Sequence, residues 1–167
     1  MIFRLSKVIL LAAIGFFYLL VVFNNTTDYN SNYQFVHHVL MMDSTFPGNA
    51  GMWRAVNSTL VHHVFYDGII SWEMLTAVLC GWGVVKLLRH LDASPAAFHR
   101  AKDVAVAALT LSLLMWLVAF LCVGAEWFLM WQSKTWNGQD AAARMFVVVG
   151  LTLIYLTQPE QAPPERQ

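Results

Sequence analysis

VAVAALTLSLLMWLVAFLCVGA, residues 104 to 125, is a run of twenty-two residues without a charge. A helix rising about 1.5 Å per residue would carry that run across a hydrocarbon core of about 30 Å. The rest of the composition agrees with a lipid solvent. Charged residues make up 12% of the chain and apolar ones 58%, against about 25% charged in an ordinary soluble domain. The 167 residues leave room for one compact bundle and for no separate soluble domain of useful size. The formal net charge is zero, so bulk electrostatics suggest no nucleic acid partner.

Three further stretches are apolar enough to span. Residues 8 to 23 carry no charge and follow Arg4 and Lys7; residues 69 to 88 are interrupted by Glu73; residues 141 to 157 carry Arg144. The first has the basic start of a signal peptide, but VFNNTTDY follows it without a small-x-small cleavage site, so it reads as a retained anchor. The expected fold is an all-α, four-transmembrane-helix bundle. It forms one domain over 1–157, with spans at about 6–24, 69–88, 104–126 and 141–157 and a short extracytoplasmic helical cap at about 25–68.

Orientation follows from the cations. With the N-terminus inside, Arg4, Lys7, Lys86, Arg89, Arg100, Lys102 and Arg166 lie in the cytoplasm, against Arg54, Lys134 and Arg144 at the far side. Seven against three predicts that both termini are cytoplasmic. The Pro-rich segment 158–167 then reads as a disordered cytoplasmic tail. Trp127, Trp131 and Trp136 fall at the outer end of the third span, where amphipathic rings prefer to sit.

In the cap, Asn30 or Ser31 can start a short helix through about Met42, with Phe35, Val39 and Met42 at helical spacing. FPGNAG breaks it. From Ser58 the pattern runs helically into the second span. The run NNTTDYNSNYQFVHHVLMMDSTFP, then MWRAV and IISWE, resembles an uncharacterised bacterial family of predicted small integral membrane proteins, domain of unknown function 2165. The matching positions are Asp28, Asn32, Val36, His38, Met42, Asp43, Thr45, Phe46, Arg54, Trp72 and Glu73; His37 is not among them. The resemblance covers nearly the whole chain and implies a four-span protein of a bacterial inner membrane, with no activity attached.

FVHHVL (35 to 40) and LVHHVF (60 to 65) hold four of the six histidines. Adjacent helical residues point about 100° apart, so one histidine of each pair can face a common site; His38 and His63 are the ones expected to turn inward. His38, Asp43, His63 and Asp67 form a candidate set for a divalent metal, and the alternative is two interfacial segments whose histidines pair with nearby acids. No HExxH or CxxC signature supports a particular metal, and no other cofactor is indicated. On a continuous helix His62, Tyr66 and Glu73 share one face. Cys80 and Cys122 lie at different depths and read as packing residues.

Glu73 falls about 20 Å above Lys86, and Arg144 about 21 Å above Gln158, so the two match in depth and are expected to form an intramembrane ion pair between spans two and four. Glu126, about 35 Å above Asp103, is a second partner for Arg144; Asp28, Arg54 and Glu126 are further polar candidates for function. Three classes fit these features. They are a non-catalytic binding or accessory subunit that docks membrane lipid or a membrane protein partner, a small-solute or ion/proton transporter using Glu73, and a metal-binding protein or enzyme using the His/Asp set.

Overall fold

Helices α1 (Ile2–Thr27), α3 (Thr59–Arg89), the continuous run Pro95–Trp127 and α6 (Gln139–Thr157) are each long and apolar enough to cross a membrane. They belong to a computed structural model that describes residues 1–160. Among the described residues there is no strand. The cap contributes α2 (Tyr29–Met41), and the run Pro95–Trp127 divides into α4 (Pro95–Arg100) and α5 (Asp103–Leu114) with its continuation through Trp127.

Each boundary has a local cause. Ser94 caps α4 by accepting the Ala97 N–H, and Pro95 fills the first position, where a missing N–H costs nothing. At the end of α2, Met42 takes a left-handed conformation at φ 53°. The chain then turns through Gly48, at φ 75°, a region that glycine enters without a steric penalty. The second long helix begins at Thr59, ten residues before the expected span, because nothing from Ser58 onward breaks the helical pattern.

From Met115 to Trp127 the third span winds as a π-helix; at its end the Phe128 N–H donates to the Val123 carbonyl, five residues back, at 3.0 Å. Met115 and Trp116 are buried, and so are Gly124 and Ala125, nine residues on. At about 3.6 residues per turn these pairs would lie on opposite faces. The wider winding turns both pairs inward.

The helix α3 packs between α1 and α5, while α6 lies against α5 and its continuation. Buried positions on α1, namely Lys7, Leu11, Ile14, Tyr18, Val22 and Asn25, recur every three or four residues as a single stripe. Small residues let that stripe approach its neighbours. A Cβ at Gly15 would stand 2.9 Å from the Cys80 Cβ, and one at Gly83 would meet Ala105 at 3.2 Å. The outer faces carry exposed Phe16, Leu19, Val78, Trp82, Leu151 and Ile154, the inverse of a soluble surface. This is an integral membrane protein.

The tail expected to be disordered from residue 158 starts otherwise. The Gln158 carbonyl and the Glu160 carboxylate are held by Lys7 and Lys102, since two buried ammonium groups require oxygen partners. The remainder of that expectation, residues 161–167, lies outside the described residues.

Close helix approach gives a direct test. Gly15→Ala should lower thermal stability in detergent by about 1–3 kcal/mol, the usual cost of overpacking. Gly81→Ala, where a Cβ meets nothing within 4 Å, should be neutral or gain up to about 1 kcal/mol from helix propensity. Equal melting shifts for the two would remove the close-packing account of the α1–α3 seam.

Candidate functional site

Glu73 is 4% exposed, deep in the cap half of the bundle. A lone charge at that depth costs several kcal/mol, so its partner matters. That partner is Asn25 on α1, whose Nδ2 donates to Glu73 Oε2 at 2.8 Å. Asn25 Oδ1 in turn accepts from Asn32 Nδ2 at 2.6 Å, and Asn32 is exposed at the start of α2. A polar column therefore descends from the cap surface through two amides to a buried carboxyl.

The ion pair expected between Glu73 and Arg144 is not formed. Arg144 is exposed on α6, and the buried face of α3 is taken by α1 and α5. Equal depth was a necessary condition for pairing, but the helix order separates the two. Glu126 is also exposed and makes no ion pair with Arg144 among the described residues.

Two turns below Asn25 on the same stripe, the Tyr18 hydroxyl lies 2.5 Å from Ser112 Oγ and accepts from Trp116 Nε1 at 2.9 Å. Beyond this level the packing is mainly apolar, and the buried Thr152 hydroxyl is taken up by the Val148 carbonyl of its own helix. Leu11, Ile14, Cys80, Ala105 and Ala108 are all buried there, and Gly15 and Gly83 close the remaining gaps. The column is open at the cap and blind at the middle.

The histidines are arranged differently from the expectation. His62, not His63, is the buried member of its pair. Its Nε2 lies 2.7 Å from the Val56 carbonyl, which can only accept, so Nε2 carries the proton. That leaves Nδ1 to accept from His37 Nδ1, 2.9 Å away. The two VHHV copies thus meet through His37 and His62 and tie α2 to α3.

The four metal candidates fall into two separate groups. His38 Nδ1 pairs with Asp43 Oδ2 at 2.7 Å, while Tyr29 joins His63 and Asp67 through its hydroxyl at 2.9 and 2.8 Å. Among the described residues no three His, Cys, Asp or Glu side chains gather in a metal-holding arrangement. The aromatic rings of Tyr29 and Tyr33 stack on His63 and fill the space between α2 and α3. Sequence reading missed Asn25, Tyr18 and Tyr29 because it searched for charges and ligand spacings, whereas neutral amides and hydroxyls carry this network.

The remaining candidates serve the cap itself. Asp28 accepts from Ser31 Oγ at 2.6 Å at the head of α2. Arg54 donates to the Trp127 carbonyl at 2.9 Å and sits between the Trp53 and Trp127 rings. A cation at the C-terminal end of a helix meets the negative end of its dipole. Above the widened winding, α2, α3 and the residues from Val118 to Met130 enclose a cleft of about 380 Å³. No charged residue and no hydroxyl lines it; Phe65, Gly68, Ile69, Trp72, Phe120 and Phe128 do.

Two tests follow from this geometry. Asn25→Leu strands the Glu73 carboxyl and should cost about 1–3 kcal/mol of stability, Arg144→Gln should cost less than about 0.5 kcal/mol as an exposed site, and Asn25→Leu with Glu73→Leu should lose less than the sum of the two single changes. An Arg144→Gln loss as large as that of Asn25→Leu would restore the ion pair.

The second test is pH. Burial first, then the neighbouring His62 and His38, hold His37 below its ordinary 6.5, with Asp43 opposing. The unfolded cap therefore binds a proton more readily than the folded one, so this contribution is complete above 6.5 and declines as pH falls towards the depressed folded value. The protection factors of the α2 amides, taken relative to intrinsic exchange at each pH, should fall between about pH 7 and pH 5, and His37→Gln should flatten that response; an unchanged slope in the variant would assign it elsewhere.

No curated protein and no solved structure matches the chain. A family model described as a predicted small integral membrane protein, domain of unknown function 2165, matches residues 3–159, and the chain belongs to that family.

Proposed function

We propose that this protein is a non-catalytic binding protein of the bacterial inner membrane, an accessory subunit with both termini cytoplasmic, whose cap-end cleft takes up an acyl chain of a membrane lipid. The observation that carries this reading is the cleft of about 380 Å³, which falls within the ~300–1,000 Å³ of small-molecule sites. Its rim includes exposed Val64, Phe65 and Val118, so it opens onto the apolar outer surface of the bundle. A polar solute would find no charged or hydroxyl side chain among the lining residues, whereas an acyl chain gives up no hydrogen bond on entry and gains contacts.

Ion or proton binding at Glu73 is the second reading, and the column from exposed Asn32 through Asn25 supports it. The packed half below Tyr18 weighs against passage through the bundle. The separation of His38 and Asp43 from His63 and Asp67 weighs against a shared metal.

The cleft can be blocked without strain. Gly68 lines it, and a Cβ there meets nothing within 4 Å, so Gly68→Phe places a ring in the space while improving helix propensity. In lipid nanodiscs with a spin-labelled phosphatidylcholine, the wild type should show a motionally restricted component that Gly68→Phe largely removes at unchanged melting temperature. Equal restriction in both would rule out the cleft as a chain site. Reporter fusions at Gln167 and after Thr27 should report opposite sides, with Gln167 cytoplasmic; a periplasmic Gln167 would reverse the orientation.

A further inference from the structure

At the end of the bundle away from the cap, Lys7 on α1 and Lys102, just before α5, are 3% and 2% exposed. Both ammonium groups turn to the same two oxygens. Lys7 Nζ lies 2.6 Å from Glu160 Oε1 and 2.9 Å from the Gln158 carbonyl; Lys102 Nζ lies 2.8 Å from each. Arg4 adds a third cation, its Nε 3.6 Å from Glu160 Oε2. Its Nη1 is anchored by the Leu91 and Ala93 carbonyls at 2.6 and 2.7 Å. The Phe98 ring backs Arg4 and Lys102, and the Tyr155 ring backs Lys7. Beside them opens a cavity of about 620 Å³ lined by Arg4, Lys7, Asp92, Tyr155 and Glu160, among others.

Charge decides what such a place must hold. Three cations face one carboxylate, and Asp92, exposed at the rim, makes no ion pair among the described residues. Even with Asp92 counted, positive charge is in surplus among the described residues. Burying an ammonium without an anion costs several kcal/mol, so the two lysines cannot be left empty-handed. Burial pulls the Glu160 carboxyl up, yet the Lys102 and Lys7 hydrogen bonds outweigh it and hold the group below its ordinary value. Glu160 stands only three residues past the end of α6 at Thr157, on a strand of irregular chain rather than in a helix. Its carboxylate presents two oxygens and one negative charge, as the two free oxygens of a phosphodiester do. The site also lies where the charge-free run of α1 begins, at headgroup depth.

We propose that Arg4, Lys7 and Lys102 form a binding site for a phosphate-type oxyanion, and that Glu160 fills it as an internal substitute which the anion displaces. The anion can come from the headgroup of an acidic phospholipid or from free phosphate, and both share the chemistry of two adjacent oxygens on a charged centre. This inference is independent of the cap-end cleft and of which leaflet the site faces.

The test uses the full chain in mild detergent, with phosphatidylglycerol, phosphatidylcholine or inorganic phosphate added and bound species counted by native mass spectrometry. Glu160→Gln should retain phosphatidylglycerol roughly tenfold more tightly than the wild type, the scale of one charge-assisted hydrogen bond, with no gain for phosphatidylcholine. Arg4→Gln in the same background should reverse much of the gain. Inorganic phosphate that competes the lipid off, or binds alone with the same dependence on Glu160, would identify free phosphate as the source and still support the site. If Glu160→Gln does not fold, Glu160→Asp keeps the charge but shortens the reach and should give an intermediate gain. Should neither variant that folds bind either anion better than the wild type, the proposal is overturned.

Discussion

The seam between α1 and α3 sets everything else in the molecule. At Gly15 and Cys80 the two helices come so close that a single added carbon has no room. In lipid, helices gain little from the hydrophobic effect against one another; dispersion contacts and internal hydrogen bonds hold them. Close approach at one level therefore fixes what can meet at others. Upward along the α1 stripe it brings Asn25 to Glu73, and downward it sets Lys7 near the bundle's opposite end. A bulkier residue at Gly15 would push Asn25 away from Glu73.

The cap depends on a second local departure, the widened winding of the third span. With α geometry throughout, Gly124 and Ala125 would turn away from the core while Met115 and Trp116 faced it. The π-winding resolves that conflict and leaves a broad wall of Val118, Phe120 and Val123 facing α2 and α3. Arg54 then closes the end of that wall by taking its last carbonyls. The cap is thus joined to the bundle through Arg54 at one side and, at the other, through His37 to His62, Tyr29 to His63 and Asp67, and Asn32 to Asn25. Between the two sides lies the apolar cleft.

How much of this was legible in the sequence varied with the kind of signal. Apolar runs and flanking cations mark the four long helices, because hydropathy acts residue by residue and needs no partner. The common face of His62, Tyr66 and Glu73 was equally readable, since α3 is unbroken. The partner of Glu73 was not. Matching depths selected Arg144, but depth says nothing of which helices are neighbours, and an asparagine near the end of an apolar run carries no charge to attract notice. Likewise the rotation within Met115–Trp127 has no pattern in the residue types that would announce it; we have no physical account of why the π-winding starts at Met115. Gln158 and Glu160 were assigned to a loose tail on composition, and only the burial of Lys7 and Lys102 reveals why they are held.

The two ends of the bundle solve the same problem by different chemistry. Toward the cap, the buried path runs through amides arranged donor to acceptor, and the buried Glu73 carboxyl is met by the Asn25 amide. At the other end, three cations converge on one carboxylate, so the balance there is one of charge. Between them lies a mainly apolar layer of Leu11, Ile14, Cys80, Ala105 and Ala108, and the Thr152 hydroxyl buried on α6 is spent on the Val148 carbonyl. A solute or ion moving from one chemistry to the other would have to cross that layer without a partner, at several kcal/mol per unsatisfied group. Opening the layer would mean separating α1 from α3 at Gly15, the contact that also brings Asn25 to Glu73. Two chemically distinct ends on a sealed bundle therefore favour a protein that holds something at each end over one that passes something through.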